Sequence, residues 1–230
     1  MKVAAIIAAA GAGRRMKIDR PKQLLVLNGT PILIHTVWKF DASGVIDYVI
    51  VTAPRESVDE IRSLVAGAGF KKPVTVVEGG ERRQDSVASG LQHLQPGTTL
   101  VAVHDGVRPF VTLEEIANVV RQAEHAGAAI LAVPIVDTVK QAEREFVEST
   151  LMREHLVLAQ TPQVFRTGLL KEAFESARKD EYYGTDEASL VERLGYPVAI
   201  VRGSERNIKI TRPTDLALAR AFFEEERTAQ

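Results

Sequence analysis

Short apolar runs alternate along the chain with longer segments in which apolar and polar residues mix. The runs have the length of β-strands and cover residues 3–8, 48–52, 74–77, 100–103, 129–133 and 198–201. Between them, apolar residues recur every three or four positions, as on one face of a helix, in segments around residues 61–65, 87–94 and 116–123. Strands that alternate with helices predict an α/β fold of three layers, with a mostly parallel sheet covered by helices on both faces.

One segment departs from this alternation. Residues 137–158 are too polar for a core strand, and they lack a helical stripe of apolar residues. The pattern predicts an excursion, such as a protruding hairpin arm, between two core strands. Because a polar hairpin has no core of its own, it is either a solvated insertion or a segment held by a second subunit. We favour an arm that forms a dimer.

Composition narrows the class of protein. The chain has 230 residues, 45% of them apolar, and no internal repeat or Gly/Ser linker, so we expect one domain over residues 1–230 with the arm at about 137–158. The net charge of −1 comes from interspersed acids and bases, which does not indicate nucleic-acid binding. No apolar run is long enough to span a membrane. The absence of cysteine fits a reducing cytosol, so we expect a cytoplasmic location.

A loop of small residues follows the first predicted strand. Residues 8–13 read Ala-Ala-Ala-Gly-Ala-Gly, so backbone N–H groups can approach phosphate oxygens without obstruction by side chains. The cations Arg14, Arg15 and Lys22 follow within eleven residues of Gly11. Cations beside such a loop indicate a polyphosphate ligand.

The familiar nucleotide-binding motifs do not fit this loop. A dinucleotide fingerprint needs a third glycine where Met16 stands, and a P-loop needs a Gly-Lys-Ser/Thr tripeptide that is absent from the chain. A signal peptide would have a longer apolar core without Gly11 and Gly13. An ordinary strand-to-helix turn with surface arginines stays an alternative.

Polar side chains follow the later predicted strands as well. Asp105 comes directly after a strand and before Gly106, a position from which a carboxylate can hold Mg²⁺ against phosphates, although Asp-Gly also marks plain turns. We interpret the preceding His104 as structural, because neutral imidazole is a poor ligand for Mg²⁺. In parallel sheets, ligands gather at the carboxyl ends of strands near a topological switch point. The sequence therefore predicts a magnesium nucleotide site there.

Three further positions are candidates for ligand contact. On a helix that begins near residue 82, Arg83 and Ser86 share a face with Gly90, which would admit a base or sugar; a solvated helix start is the alternative. Lys209 lies in an apolar frame and needs an anionic partner, either a ligand or a buried carboxylate. At residues 185–186, Thr-Asp opens a helix, where one residue caps it and the other faces a ligand.

Eight segments occur here in the order in which they occur in the sugar-phosphate cytidylyltransferases, and they cover nearly the whole chain. They are AAAGAGRRM, PKQ, GGERRQDSV, VHDGVRP, DTVK, QTPQVF, GTDEAS and NIKITRP. The chain resembles this family, and most closely its members that act on 2-C-methyl-D-erythritol 4-phosphate. The resemblance implies a Rossmann-like fold of nucleotide-diphospho-sugar transferase type, with a protruding β-arm that builds a homodimer.

The resemblance also implies a reaction and a role for each matched residue. CTP and 2-C-methyl-D-erythritol 4-phosphate would give 4-diphosphocytidyl-2-C-methyl-D-erythritol and pyrophosphate in non-mevalonate isoprenoid synthesis, with Mg²⁺ on Asp105. Backbone N–H groups of the loop would hold the triphosphate, at Ala9, Ala10, Gly11, Ala12 and Gly13. The catalytic cations would be Arg15, Lys22 and Lys209. The remaining nucleotide contacts would be Gly80, Arg83, Ser86 and Gly106. The substrate would contact Arg108 and Thr185, joined by Thr138 and Arg153 of the partner's arm.

One position departs from the family's pattern. The family usually has a small residue other than glycine after the metal-binding aspartate, whereas this chain has Gly106. We expect a slightly looser turn there and unchanged chemistry.

The residue types suit the implied chemistry. The substrate phosphate is already an ionised nucleophile, so no general base is required. The obstacle is electrostatic, because a dianion must approach a triphosphate and negative charge then grows on the leaving pyrophosphate. Cations fixed in advance remove this obstacle, which explains arginine and lysine in place of histidine or paired carboxylates.

Two alternatives remain from the sequence. Ribitol 5-phosphate cytidylyltransferases share the loop, metal and cytosine motifs and differ mainly in the substrate pocket and arm. A nucleotide-binding module without catalysis would bind CTP and release no pyrophosphate. The joint presence of Arg15, Lys22, Asp105 and Lys209 argues against this second alternative, because binding alone does not require all four.

Overall fold

The computed structural model describes residues 1–11 and 21–228, with the side chains of 226–228 excepted. Over these residues the chain forms eleven strands and seven α-helices. The strands are β1 (Val3–Ala8), β2 (Val26–Leu27), β3 (Thr30–Pro31), β4 (Tyr48–Ala53), β5 (Val74–Glu78), β6 (Leu100–Asp105), β7 (Ala128–Pro134), β8 (Val139–Glu143), β9 (Phe146–Leu151), β10 (Val157–Arg166) and β11 (Ala199–Arg202). The helices are α1 (Ile32–Ala42), α2 (Val58–Gly67), α3 (Arg83–Gln92), α4 (Leu113–Ala126), α5 (Thr167–Lys179), α6 (Glu187–Arg193) and α7 (Pro213–Thr228).

A seven-stranded sheet forms the centre of the described part of the molecule, in the order β11-β7-β10-β6-β1-β4-β5. All its strands run parallel except β10, which is antiparallel to both of its neighbours. The chain proceeds from β1 outward to β5 and then returns to place β6 on the other side of β1. This return makes the gap between β1 and β6 a topological switch point, where ligands bind in such sheets.

Helices cover both faces of the sheet, so the predicted three-layer α/β class is confirmed. Strand β1 shows why its sequence is a continuous apolar run: Ile7 packs toward α1, α2 and α4, whereas Ile6 packs toward α3, α5 and α6. A parallel strand buried on both faces needs apolar side chains at successive positions. All six predicted strands are present, with ends shifted by no more than two residues.

A third apolar cluster lies beside the sheet and supports the segment after β6. Helix α7 packs there against the β2–β3 hairpin, and its cluster includes Leu27, Val107, Phe110 and Ile210. The N–H of Ile210 donates to the carbonyl of Val107 at 3.0 Å. This contact fixes the residues around Ile210 beside the end of β6.

The segment predicted as an arm contains the antiparallel hairpin β8–β9, followed by a short 3-10 helix at Arg153–His155. Strand β10 begins at Val157 and pairs with β7, so the last two residues of the predicted arm belong to the central sheet. Large apolar side chains of the arm are exposed, among them Phe146, Val147 and Met152. None of the described helices is long and apolar enough to cross a membrane.

Candidate active site

A cavity of about 230 Å³ opens at the carboxyl ends of β1 and β6. Its walls come from the loop after β1, the short helix at Lys22–Leu24, the start of α3, the end of β6 and the segment before α7. The lining residues are Ala8, Ala9, Ala10, Gly11, Lys22, Gln23, Arg83, Ser86, Asp105, Val107, Lys209 and Thr211. Residues predicted from five separate segments therefore meet at the switch point of the sheet.

The loop after β1 is fixed by contacts on both sides of Ala9. The N–H of Ala9 donates to the carbonyl of Thr52 at 2.9 Å, and its carbonyl accepts a hydrogen bond from Nε2 of Gln23 at 2.6 Å. The Ala9 N–H is thus paired with the carbonyl of Thr52 in this conformation, and its contact with phosphate stays a prediction. Ala10 and Gly11, also predicted to hold the triphosphate, line the cavity. Ala12, Gly13 and Arg15 lie outside the described residues.

Three cations surround the carboxylate of Asp105. Its Oδ1 accepts a hydrogen bond from Nε of Arg83 at 3.1 Å, and its Oδ2 lies 2.9 Å from Nζ of Lys209 and 3.3 Å from Nε of Arg108. Of the two alternatives for the partner of Lys209, the structure shows the buried carboxylate, and this carboxylate is that of the predicted metal ligand. Burial would raise the pKa of Asp105, but Arg83, Lys209 and Arg108 hold it well below its usual value.

A second carboxylate, that of Glu187, holds Arg83 from the other side. The Nη1 of Arg83 donates to both oxygens of Glu187, at 2.7 and 2.8 Å. Burial raises the pKa of Glu187, whereas the neighbouring guanidinium opposes that rise. Burial by itself would lower the pKa of Arg83, yet Glu187 and Asp105 raise it above its usual value. The guanidinium therefore stays charged.

The backbone at Asp105 is fixed by a buried chain of hydrogen bonds. The N–H of Asp105 donates to Oγ1 of Thr161 at 3.1 Å, and this hydroxyl lies 3.0 Å from Nδ1 of His104. The Nε2 of His104 lies 3.0 Å from the carbonyl of Arg108, so Nε2 carries the proton and Nδ1 accepts. Burial lowers the pKa of His104 to about 3, which keeps the ring neutral. The interpretation of His104 as structural is consistent with this geometry.

The start of α3 brings Ser86, a predicted nucleotide contact, to the cavity. The Oγ of Ser86 accepts from the N–H of Gly80 at 3.2 Å and donates to the carbonyl of Arg82 at 3.0 Å. A Cβ at Gly79 would lie 2.5 Å from the Cβ of Ala10, so glycine lets this turn approach the loop after β1. The Ser86 hydroxyl therefore shapes the turn that forms the cavity wall.

The predicted substrate contacts do not line this cavity. Arg108 is mostly buried and donates from Nη1 to the carbonyl of Asn207 at 2.7 Å, in addition to its contact with Asp105. Asp186 caps α6 by accepting from the N–H of Ser189, which leaves Thr185 exposed. The arm residues Thr138 and Arg153 are exposed too, and Nη1 of Arg153 donates to the carbonyl of Val136 at 2.6 Å.

Gly106 does not line the cavity, but it packs directly behind the loop. Its N–H donates to the carbonyl of Ala8 at 2.9 Å, and its carbonyl accepts from Oγ1 of Thr36 at 3.2 Å. A Cβ at this position would lie 3.0 Å from the Cβ of Ala9. Both backbone groups of Gly106 are paired. The sequence predicts a slightly looser turn here, whereas in the structure these hydrogen bonds hold the turn in place.

Several residues that shape the site escape sequence reasoning. Glu187, Thr161 and Gln163 all lie more than fifty positions after Asp105 in the chain, although they hold it or its neighbours in place. Separations this large carry no local signal, and a Glu-Ala-Ser helix start looks solvent-exposed in sequence. Gln23 is missed as well, although its position directly after Lys22 could have indicated it.

The arrangement can bind and polarise phosphate groups. Lys22, Arg83, Arg108 and Lys209 bring four positive charges to the site, against the two carboxylates of Asp105 and Glu187. Among these residues the excess is positive, and ion pairs with the two carboxylates hold Arg83, Arg108 and Lys209 in place before any ligand arrives. Preorganised cations of this kind stabilise charge that develops on phosphate oxygens during group transfer.

Comparisons with known proteins agree with this geometry. The family described as 2-C-methyl-D-erythritol 4-phosphate cytidylyltransferase (IspD) matches residues 3–225. A relative of that name from Solibacter usitatus (strain Ellin6076) is 49% identical over 237 residues, covering 98% of this chain and 97% of its own.

Solved structures give the same result. The 4-diphosphocytidyl-2C-methyl-D-erythritol synthase from Anaerococcus prevotii DSM 20548 has a TM-score of 0.86 at 30% identity, with 97% of this chain and 98% of that chain covered. The 2-C-methyl-D-erythritol 4-phosphate cytidylyltransferase from Thermus thermophilus has a TM-score of 0.79 at 36% identity, with coverage of 97% and 100%. With a match over nearly its whole length, the chain belongs to the 2-C-methyl-D-erythritol 4-phosphate cytidylyltransferase family.

Proposed function

We propose that this chain transfers CMP from CTP to 2-C-methyl-D-erythritol 4-phosphate, giving 4-diphosphocytidyl-2-C-methyl-D-erythritol and pyrophosphate. The observation that carries the proposal is the cluster of fixed cations around Asp105. It lies at the carboxyl end of β6, beside the loop after β1. Family membership supports the choice of substrates. The relatives compared above bear the methylerythritol name, so ribitol 5-phosphate is not favoured.

The reaction is a displacement at the α-phosphorus of CTP. An ionised oxygen of the substrate phosphate forms the new bond to that phosphorus, and the bond from the α-phosphorus to the bridging oxygen of the β-phosphate breaks. Pyrophosphate leaves with the electron pair. Lys209 would neutralise the α-phosphate, whereas Lys22 and Arg15 would stabilise the transition state and the departing pyrophosphate.

A divalent cation that arrives with the nucleotide would bind Asp105 in exchange for one of its present cationic partners. Mg²⁺ is commonly held by one or two carboxylates together with substrate phosphates, and not by a cage of protein ligands. Among the described residues, no group of three or more His, Cys, Asp or Glu side chains gathers at one point. Asp105 would hold the cation, which supplies positive charge to the triphosphate when bound.

The turn before α3 would receive the cytidine. Ser86 lines the cavity together with Ala10 and Gly11, and its hydroxyl accepts from the N–H of Gly80 directly behind it. Gly106 would support the nucleotide from behind the loop, since its N–H holds the carbonyl of Ala8.

The remaining substrate contacts would come from around the cavity and from a second copy of the chain. Thr185 is exposed near α6, and Arg108 lies beside Asp105, so both would face a substrate that extends from the nucleotide. Exposed apolar side chains on the arm, including Phe146 at 77% and Met152 at 66%, support a homodimer in which the arm packs on the partner. Thr138 and Arg153 would then reach the partner's substrate. The absence of cysteine supports a cytoplasmic location.

The test of the proposed function is pyrophosphate release with purified protein, CTP and each polyol phosphate in turn. We expect turnover with 2-C-methyl-D-erythritol 4-phosphate, a product of the mass of the cytidine diphosphate ester, and slower turnover with UTP. A preference for ribitol 5-phosphate would contradict the substrate assignment. Stabilisation against heat by CTP without any release of pyrophosphate would indicate a binding module instead.

Replacement of Arg153 with alanine tests the arm. Loss of a charged hydrogen bond to a substrate phosphate costs about 1.5–3 kcal/mol, so we expect KM for the polyol phosphate to rise roughly tenfold or more. The kcat and the melting temperature should change little, because Arg153 is exposed. Arg121→Ala, at an exposed position on α4, is the matched control. Light scattering of the wild-type protein completes the test, since an active monomer would rule out a contribution from the partner.

A further inference from the structure

Arg83 lies between two buried carboxylates. Its Nη1 donates to both oxygens of Glu187, and its Nε donates to Oδ1 of Asp105 at 3.1 Å. A guanidinium has five N–H donors in a fixed plane, so these contacts set the orientation of the whole group. The orientation of Arg83 is therefore set by the carboxylates of Glu187 and Asp105.

Glu187 is itself held in a fixed frame at the start of α6. Oε1 of Gln163 accepts from the N–H of Ala188 at 3.0 Å, and Nε2 of Gln163 donates to Oδ2 of Asp186 at 2.7 Å. Because Gln163 belongs to β10 and pairs with Val103 of β6, the start of α6 is tied to the strand that ends in Asp105. The carboxylate of Glu187 is thus fixed relative to β6. Arg83 therefore has a fixed partner on each side, Glu187 on one and Asp105 on the other.

A buried ion pair of this kind is by itself weak evidence for a stabilising role. The side chain of Glu187 is 1% exposed, and the cost of removing a carboxylate and a guanidinium from water largely offsets their mutual attraction. The pair does, however, leave the oxygens of Asp105 with different partners. Oδ1 faces Arg83, whereas Oδ2 faces Lys209 across the cavity wall.

We propose that Glu187 is a positioning residue that acts through Arg83 to fix the direction of the Asp105 carboxylate, and that Arg83 serves this relay instead of reading the cytosine ring. The inference rests on the proposed function, since Asp105 and Lys209 are placed at the triphosphate. Through Arg83, Glu187 would affect turnover even though its side chain does not line the cavity.

The experiment compares four proteins with the wild type: Glu187→Gln, Arg83→Lys, their double variant, and Glu192→Gln as the matched control at an exposed position of α6. Glutamine keeps the shape of Glu187 and removes its charge. Lysine keeps the charge of Arg83 but cannot bridge two carboxylates. The measurements are kcat and KM for CTP and for UTP, the melting temperature, and a crystal structure of the Glu187→Gln protein.

We expect kcat of Glu187→Gln to fall about 10–100-fold, as is usual when a group that orients a ligating side chain is removed. The ratio of kcat/KM for CTP over UTP should stay within about twofold of the wild-type ratio. If the charge of Glu187 acted only at long range, its removal would strengthen CTP binding, because one anion near the cavity is lost. A fall in kcat therefore separates the relay from this long-range effect. Because both residues act in one relay, the double variant should be about as slow as either single variant.

Three results would overturn the relay. They are wild-type kcat in Glu187→Gln, collapse of the CTP preference in that variant, and multiplication of the two single effects in the double variant. The Arg83→Lys protein keeps the test decisive if Glu187→Gln folds poorly. The crystal structure separates this inference from the proposed function. Even if the wild type transfers no CMP, persistence of the contact between Arg83 and Asp105 in Glu187→Gln would show that Glu187 does not hold Arg83 in place.

Discussion

Replacement of Lys209 with alanine is expected to lower kcat about 10²–10³-fold, the usual loss when one preorganised donor is removed from a site of developing charge. Its Nζ lies 2.9 Å from Oδ2 of Asp105, at the cavity wall. When CTP is bound, the same ammonium would face the α-phosphate, where the attacking dianion brings further negative charge. The loss should therefore appear in kcat more than in KM for CTP.

The fold should survive this substitution. Asp105 keeps Arg83 and Arg108 as partners in the variant, so its carboxylate is not left as an unpaired buried charge. Steady-state pyrophosphate release and a melting curve measure the two effects separately. Lys179→Ala, at an exposed position at the end of α5, is the control and should match the wild type. Turnover by Lys209→Ala within a fewfold of the wild type would remove Lys209 from the mechanism.

Replacement of Lys22 with alanine is expected to lower kcat by a similar factor of about 10²–10³. Lys22 begins the short 3-10 helix and lines the cavity on the side of the loop after β1. The next residue, Gln23, is buried and donates to the carbonyl of Ala9, so the helix is fixed against that loop. From this position Lys22 would meet the β- and γ-phosphates, which leave as pyrophosphate.

Calorimetry with CTP distinguishes a catalytic role of Lys22 from a binding role. We expect the Lys22→Ala protein to bind CTP with an affinity reduced far less than its kcat, because the charge on pyrophosphate grows only as the bond breaks. Lys71→Ala, an exposed lysine in the loop before β5, is the control. Equal losses in affinity and in kcat/KM, with kcat unchanged, would instead assign Lys22 to uniform binding of the nucleotide.

Much of the fold could be predicted because parallel strands buried on both faces leave a simple pattern. Each of the six predicted apolar runs is a strand, and the helical spacings at residues 61–65 and 116–123 fall within α2 and α4. The hydrophobic effect selects these residues directly, so the sequence records their burial.

Strand β10 lacks this apolar pattern, so it could not be predicted from the sequence. It is central, yet it contains the polar run Gln160-Thr161-Pro162-Gln163, and proline within a run argues against a central strand. The pairing of β10 with β7 shifts register between Ala159 and Gln163, so Pro162 lies in the irregular part of the ladder. The polar side chains are buried because they bind other buried groups, such as His104 and Asn207. Hydropathy cannot reveal partners that lie far away in sequence.

The candidate site divides in the same way. Four charged residues of the cavity could be predicted because each lies in a motif near the carboxyl end of a strand. They are Lys22, Arg83, Asp105 and Lys209. Glu187 could not, because its only indication is a contact with a side chain 104 positions earlier. Charge-bearing residues that touch a ligand occur in recognisable motifs, whereas those that hold other side chains are revealed by the folded chain.

The position of β10 also sets the order in which the sheet can be assembled during synthesis. Strands β1, β4, β5 and β6 are complete by residue 105 and pair among themselves. The other half, β7 with β11, has no neighbour in that group and joins it only through β10, which ends at Arg166. A nascent chain that has just passed β7 therefore carries an open edge on β6, and the ribosome must deliver the hairpin and the returning strand before that edge is covered.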